Sequence, residues 1–119
     1  LHIRLNKIHM DIQSIIKQNS PSVIVVENVF YAKNVNSMMK LSHARGMALL
    51  CAAQKDVPLY EYSPRKIKQA VTGNGNASKD QVGYMVEKIL NLENVKMSSD
   101  ASDALAIALC HLQQFRYDD

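Results

Sequence analysis

Four consecutive β-branched residues, Val23-Ile24-Val25-Val26, place the tightest limit on what this chain can fold into. The run shows no polar alternation, so Ser22–Glu27 reads as a strand covered on both faces. Only Val57-Pro58-Leu59-Tyr60-Glu61-Tyr62 has comparable strand character, with Pro58 near its start, where a missing N–H is tolerated. Between the two lies a helical pattern over residues 35–55, with Met38, Leu41, Met47, Ala48, Leu50, Cys51 and Ala52 as its apolar residues. Strand, helix, strand in that order means a parallel pair with a crossover helix, hence an α/β domain. An isolated pair of strands is marginal. Further strands are therefore expected ahead of Leu1, or lent by another chain.

The remaining segments read as helices. Leu1, Leu5, Ile8, Ile12 and Ile15 form a stripe that ends near Asn19-Ser20-Pro21. Ser63-Pro64 opens a short helix, Ser as N-cap and Pro at the first helical position, with Ile67, Ala70 and Val71 facing inward. Thr72-Gly73-Asn74-Gly75-Asn76 is expected to be a flexible turn. Ser78-Lys79-Asp80-Gln81 is a capping box, and it starts a helix that carries Val82, Met85, Val86, Ile89 and Leu90. A polar loop leads to a last helix from about Asp100 to Phe115, whose expected core stripe is Leu105, Ala108, Leu109 and Leu112.

With 119 residues, of which 47% are hydrophobic, the chain is the size of one domain, and residues 1–119 are taken as one. Four Gly and three Pro argue against disorder and fibrous repeats. No apolar stretch approaches the roughly 20 residues of a membrane span, and no basic segment with an apolar stretch opens the chain as a secretion signal would. Cys51 and Cys110 sit in apolar helical stretches outside any CxxC, and read as buried thiols of a cytoplasmic protein. The net charge of +3 is unevenly placed: residues 33–79 carry +6 and residues 80–119 carry −4. A basic middle suits a polyanion such as nucleic acid, although helices carry charges on their solvent faces for no further reason.

Three carboxylates stand out. Glu27 ends the apolar strand, at the edge of an α/β sheet where ligands bind, or is simply the first solvated residue after it. Asp100 and Asp103 lie three apart on one face of a helix start, among small residues. Asp is also favoured there as a cap or by the helix dipole. A strand-end Glu with such a pair has the composition of an all-oxygen Mg²⁺ or Mn²⁺ site, which would activate water and shield a phosphodiester. Converging carboxylates would repel one another without a cation, so Asp103→Asn is expected to raise stability. His111 lies two turns along the same face, as a proton carrier, as a partner to a metal ligand, or as a packed histidine. His2, His9 and His43 suit a surface or an interface. Gly73-Asn74-Gly75 lacks the lysine pattern and preceding strand of a phosphate loop.

Several stretches resemble the RuvC family of Holliday-junction resolvases, of RNase H-like fold. They are Val26-Glu27-Asn28-Val29-Phe30, Ala32-Lys33-Asn34, Leu41-Ser42-His43-Ala44-Arg45-Gly46, Glu61 to Lys68, Val71 to Gly75, Ala77 to Val82, and Asp100 to Ala108 with His111. The resemblance implies a Mg²⁺-dependent endonuclease, with Mn²⁺ as a substitute and two ions per site, that cuts four-way junction DNA symmetrically in recombination and repair. It implies catalytic, metal-binding roles for Glu27, Asp100 and Asp103. It implies that Phe30 contacts unpaired bases and that Lys68 and Lys79 lie near the scissile phosphate. A homodimer through helix 35–55 and branch-migration proteins as partners follow from it as well. The family's first catalytic Asp lies in an Asp-Pro-Gly context on an opening strand that this sequence does not contain. The resemblance thus implies an RNase H-like fold without its first three strands. Two other function classes stay open: a non-catalytic junction-binding, dimerising fragment, and a related nuclease acting on RNA.

Overall fold

The computed structural model describes the backbone of residues 1–28 and 34–118, with side chains up to Gln114. The elements run α1 (His2–Asn19), β1 (Ile24–Glu27), α2 (Val35–Gln54), β2 (Leu59–Tyr62), α3 (Pro64–Thr72), α4 (Lys79–Leu90) and α5 (Ser99–Asp118). β1 and β2 form the parallel two-stranded sheet that the strand–helix–strand order required. Among its bonds, the Ile24 N–H donates to the Pro58 carbonyl at 2.9 Å. By contacts the chain forms two compact units, the first ending at Tyr60 and the second starting at Glu61. None of the helices among the described residues is long and apolar enough to cross a membrane.

In the first unit α1 packs on α2. Ile16 is the buried residue of α1, while Ile15, expected in the stripe, is 57% exposed. The reason is phase: Ile8, Ile12 and Ile16 recur at four residues and stay on one face, from which Ile15 is turned away by about 100°. Cys51 and Ala52 are buried in the last turns of α2, and the Cys51 thiol points at the His9 carbonyl, 3.6 Å away. His9 and Gln13 both hydrogen-bond the Gln54 side chain, at 2.8 and 2.9 Å. β1, expected to be covered on both faces, is half-buried along its whole length, since only one strand flanks it here. Of the expected apolar residues of α2, Met38, Leu41 and Leu50 are exposed.

The second unit encloses the hydrophobic core of Ile67, Val71, Ala77, Val82, Val86, Ala106 and Cys110 between α3, α4 and α5. The stripe on α5 differs from the expected one. Ala106 and Cys110 are buried, Leu105 and Leu109 flank them, and Ala108 and Leu112 face solvent. Small residues occupy the line of closest helix approach, and the leucines straddle it. Ile89 and Leu90 of α4 are likewise exposed rather than in the core. Burial pushes the Cys110 thiol above its ordinary range, against a smaller downward pull from Lys66; in Cys51 burial again outweighs the charge of Lys55. Both are free, inert thiols.

The turn between α3 and α4 is tied at every position, contrary to the flexible turn expected. Gln69 spans it, donating to the Gly73 carbonyl at 3.1 Å and accepting the Gly75 N–H at 3.0 Å. The Asn74 side chain accepts the Asn76 N–H at 2.9 Å, and Arg65 donates to the Asn76 side chain at 2.8 Å. Gly73 closes α3 in the left-handed region, at φ 81°, its N–H donating to the Gln69 carbonyl. Gly73→Ala is expected to cost about 1 kcal/mol in urea unfolding, because a Cβ is disfavoured at that φ.

Candidate functional site

The first turn of α5 and the first turn of α4 build the site. Ser98 caps α5: its hydroxyl accepts the Ala101 N–H at 3.1 Å and its carbonyl accepts the Ser102 N–H at 3.0 Å. Capping is therefore not the task of Asp100, which stands exposed in the first turn. Asp103 follows on the same face, half-buried. Facing it, Ser78 and Gln81 make both hydrogen bonds of the capping box, at 3.1 and 2.8 Å, and so fix Lys79 as the first residue of α4.

Lys79 Nζ lies 3.2 Å from Asp103 Oδ2. Gly83 of α4 faces Ser102 of α5, and a Cβ there would make ordinary van der Waals contact, 3.5 Å from the Ser102 hydroxyl. An open groove of about 450 Å³ runs along this seam, lined by Lys79, Gly83, Tyr84, Ser99, Ser102 and Asp103 among others. Tyr84 is 59% exposed, with Lys88 Nζ 5.5 Å from its ring centre. The ion pair changes one expectation: Asp103 is attracted by Lys79 in the absence of a cation, so its removal is expected to cost stability instead of relieving repulsion. Side chains 66% and 44% exposed limit that cost to about 1 kcal/mol or less.

His111 is buried, and its Nδ1 pairs with the Tyr62 hydroxyl at 2.7 Å. It stands about 12 Å along the helix axis from Asp103, at eight residues of helical rise. The geometry is that of the packed alternative. Tyr62 as its partner had no signal in the sequence beyond strand character. Lys68 is half-buried on α3, with its carbonyl accepting the Thr72 hydroxyl at 2.7 Å. Glu27 ends β1 in the first unit and is half-buried. Phe30 lies outside the described residues.

Asp100 and Asp103 in the second unit, and separately Glu27 in the first, carry carboxylate oxygens, the donor type a hard divalent cation takes. Among the described residues no three His, Cys, Asp or Glu side chains gather into a group that could hold a metal ion. The chemistry of the donors fits, and Asp100 with Asp103 offers two ligands on one helix turn.

The sequence profile described as "Crossover junction endodeoxyribonuclease RuvC" matches residues 1–111. A protein of that name from Pseudoalteromonas translucida is 52% identical over 110 residues, covering 92% of this chain and 63% of its own length. Another from Proteus mirabilis is 49% identical, at 93% and 65%. This chain thus spans less than two thirds of either relative. Thermus thermophilus RuvC in complex with a Holliday junction substrate superposes with a TM-score of 0.88 at 35% identity, covering 97% of this chain and 70% of that one. A match along nearly the whole chain, in both sequence and fold, places this chain in the RuvC family.

Proposed function

We propose that the protein carrying this chain is a Holliday-junction resolvase, an endonuclease that makes symmetric, Mg²⁺-dependent cuts in four-way DNA junctions during recombination and repair. The observation that carries this reading is the likeness to a RuvC solved with its junction substrate. In this reading Asp100 and Asp103, joined by Glu27, hold the divalent cations, two per active site, with Mn²⁺ as a substitute. When bound, such cations supply Lewis acidity at the phosphodiester. Lys68 and Lys79 meet phosphates beside the scissile bond, Phe30 meets unpaired bases, and His111 with Tyr62 holds α5 in place. Residues 1–119, both compact units included, belong to one nuclease domain that works in the cytoplasm and answers to branch-migration proteins of the same pathway.

The test is cleavage in Mg²⁺ of a four-way junction, a linear duplex of the same arms and an RNA–DNA hybrid. Paired symmetric nicks confined to the junction support the resolvase. Binding without cleavage would favour a junction-binding, dimerising fragment. Preference for the hybrid would favour an RNA-directed nuclease. Lys68→Ala is expected to lower the salt slope of junction binding by about one unit, read from affinities across a salt series.

The same proposal includes a homodimer through α2. Val35 at 65% exposure, Met39 at 51% and Leu41 at 50% are a costly set to leave in water on one helix. Sedimentation at micromolar concentration is expected to give a dimer, and Leu41→Asp to shift it toward monomer.

A further inference from the structure

The Lys7–Asp11 and Lys88–Glu93 ion pairs are local in sequence. Lys79–Asp103 instead joins two helices, and it ties together two residues that the nuclease reading assigns to different tasks. An ammonium at 3.2 Å from Asp103 occupies a carboxylate oxygen that a cation would need, and the same ammonium is withheld from phosphate. We propose that Lys79 is a placeholder cation: it neutralises Asp103 until a divalent cation takes that carboxylate, and the exchange releases Lys79 toward a DNA phosphate. The proposal rests on the metal reading of Asp100 and Asp103.

Three features make the exchange feasible. Both side chains reach solvent, 66% exposed for Lys79 and 44% for Asp103, so the pair is weak and open to competition. A doubly charged ion at the carboxylate attracts it more strongly than an ammonium and repels the ammonium itself. The backbone at Lys79 has no need to move, since the capping box and buried Ala77 hold the start of α4. Only the flexible lysine stem swings. By thermodynamic reciprocity, a phosphate that draws Lys79 away opens Asp103 to the cation by the same factor. Metal and DNA thereby favour each other's binding, and a protein without substrate keeps its carboxylate masked.

The experiment follows acetylation of individual lysines by an N-hydroxysuccinimide ester, mapped by peptide mass spectrometry, as Mn²⁺ is titrated into the protein without DNA. Paramagnetic broadening of the amides of residues 100–103 reports cation binding independently. Lys79 labelling is expected to rise by about two- to fivefold with Mn²⁺, the range set by the strength of an exposed pair. Lys88, paired with Glu93, is expected to stay constant. In Asp103→Asn, Lys79 is expected to label fast from the start and to ignore Mn²⁺. Broadening at residues 100–103 with flat Lys79 labelling would overturn the exchange while leaving the metal reading intact. An equal rise at Lys88 would reduce the effect to screening, and slow labelling in Asp103→Asn would show that the pair does not mask the amine; either overturns the proposal. Absence of broadening would remove the metal reading, and the exchange with it.

Discussion

Replacing Asp103 by Asn in the protein that carries this chain is expected to lower the rate of junction cleavage by at least about a hundredfold, with stability changed by about 1 kcal/mol or less. The two effects separate because they have different origins. Asn keeps the size and polarity of the side chain on the first turns of α5, where Ser98 already supplies the cap. What it removes is a charge, and with it the pair with Lys79 and, in the proposed nuclease reading, a ligand for a hard cation. The pair is exposed and therefore weak, whereas cation stabilisation of a phosphodiester transition state amounts to several kcal/mol. Junction cleavage rates in Mg²⁺ and urea melts of the same preparation check both halves. Cleavage within tenfold of the parent would remove Asp103 from the metal-binding set.

Ile67→Ala is expected to destabilise the second unit by about 2–5 kcal/mol. Ile67 is 5% exposed in the cluster with Val71, Ala106 and Cys110, and its truncation leaves a cavity where α3 meets α5. The leucine that the sequence pattern suggested for that cluster, Leu112, is 59% exposed, so Leu112→Ala is expected to stay within about 0.5 kcal/mol. Urea unfolding followed by circular dichroism distinguishes the two variants. Comparable losses in both would restore the leucine stripe and displace the packing described above.

Local signals in the sequence translated well into local structure. The Ser63-Pro64 start, the capping box at Ser78 and Gln81, and the inward Ile67 and Val71 are found where side-chain chemistry put them. What failed was part of each stripe: Ile15 on α1, where Ile16 is buried instead, and Ala108 and Leu112 on α5. Periodicity weights large apolar residues, whereas close helix contact selects small ones, so Ala106 and Cys110 were passed over for Ala108 and Leu112. The turn at residues 72–76 looked loose because Gly and Asn dominate it; the restraint comes from Gln69 and Arg65 on the preceding helix. At the site, the spacing of Asp100 and Asp103 was legible. The Lys79 contact was not, because it depends on how α4 lies against α5.

The Tyr62–His111 contact joins residues 49 positions apart, at the first strand and last helix of the second unit. Closing so long a loop carries a larger entropic cost than forming the helical turns between them, so this contact belongs to the late steps of folding. Contacts made after the rate-limiting barrier govern how fast a protein comes apart and hardly affect how fast it assembles. Weakening the pair is therefore expected to speed unfolding while the refolding arm of the chevron stays in place.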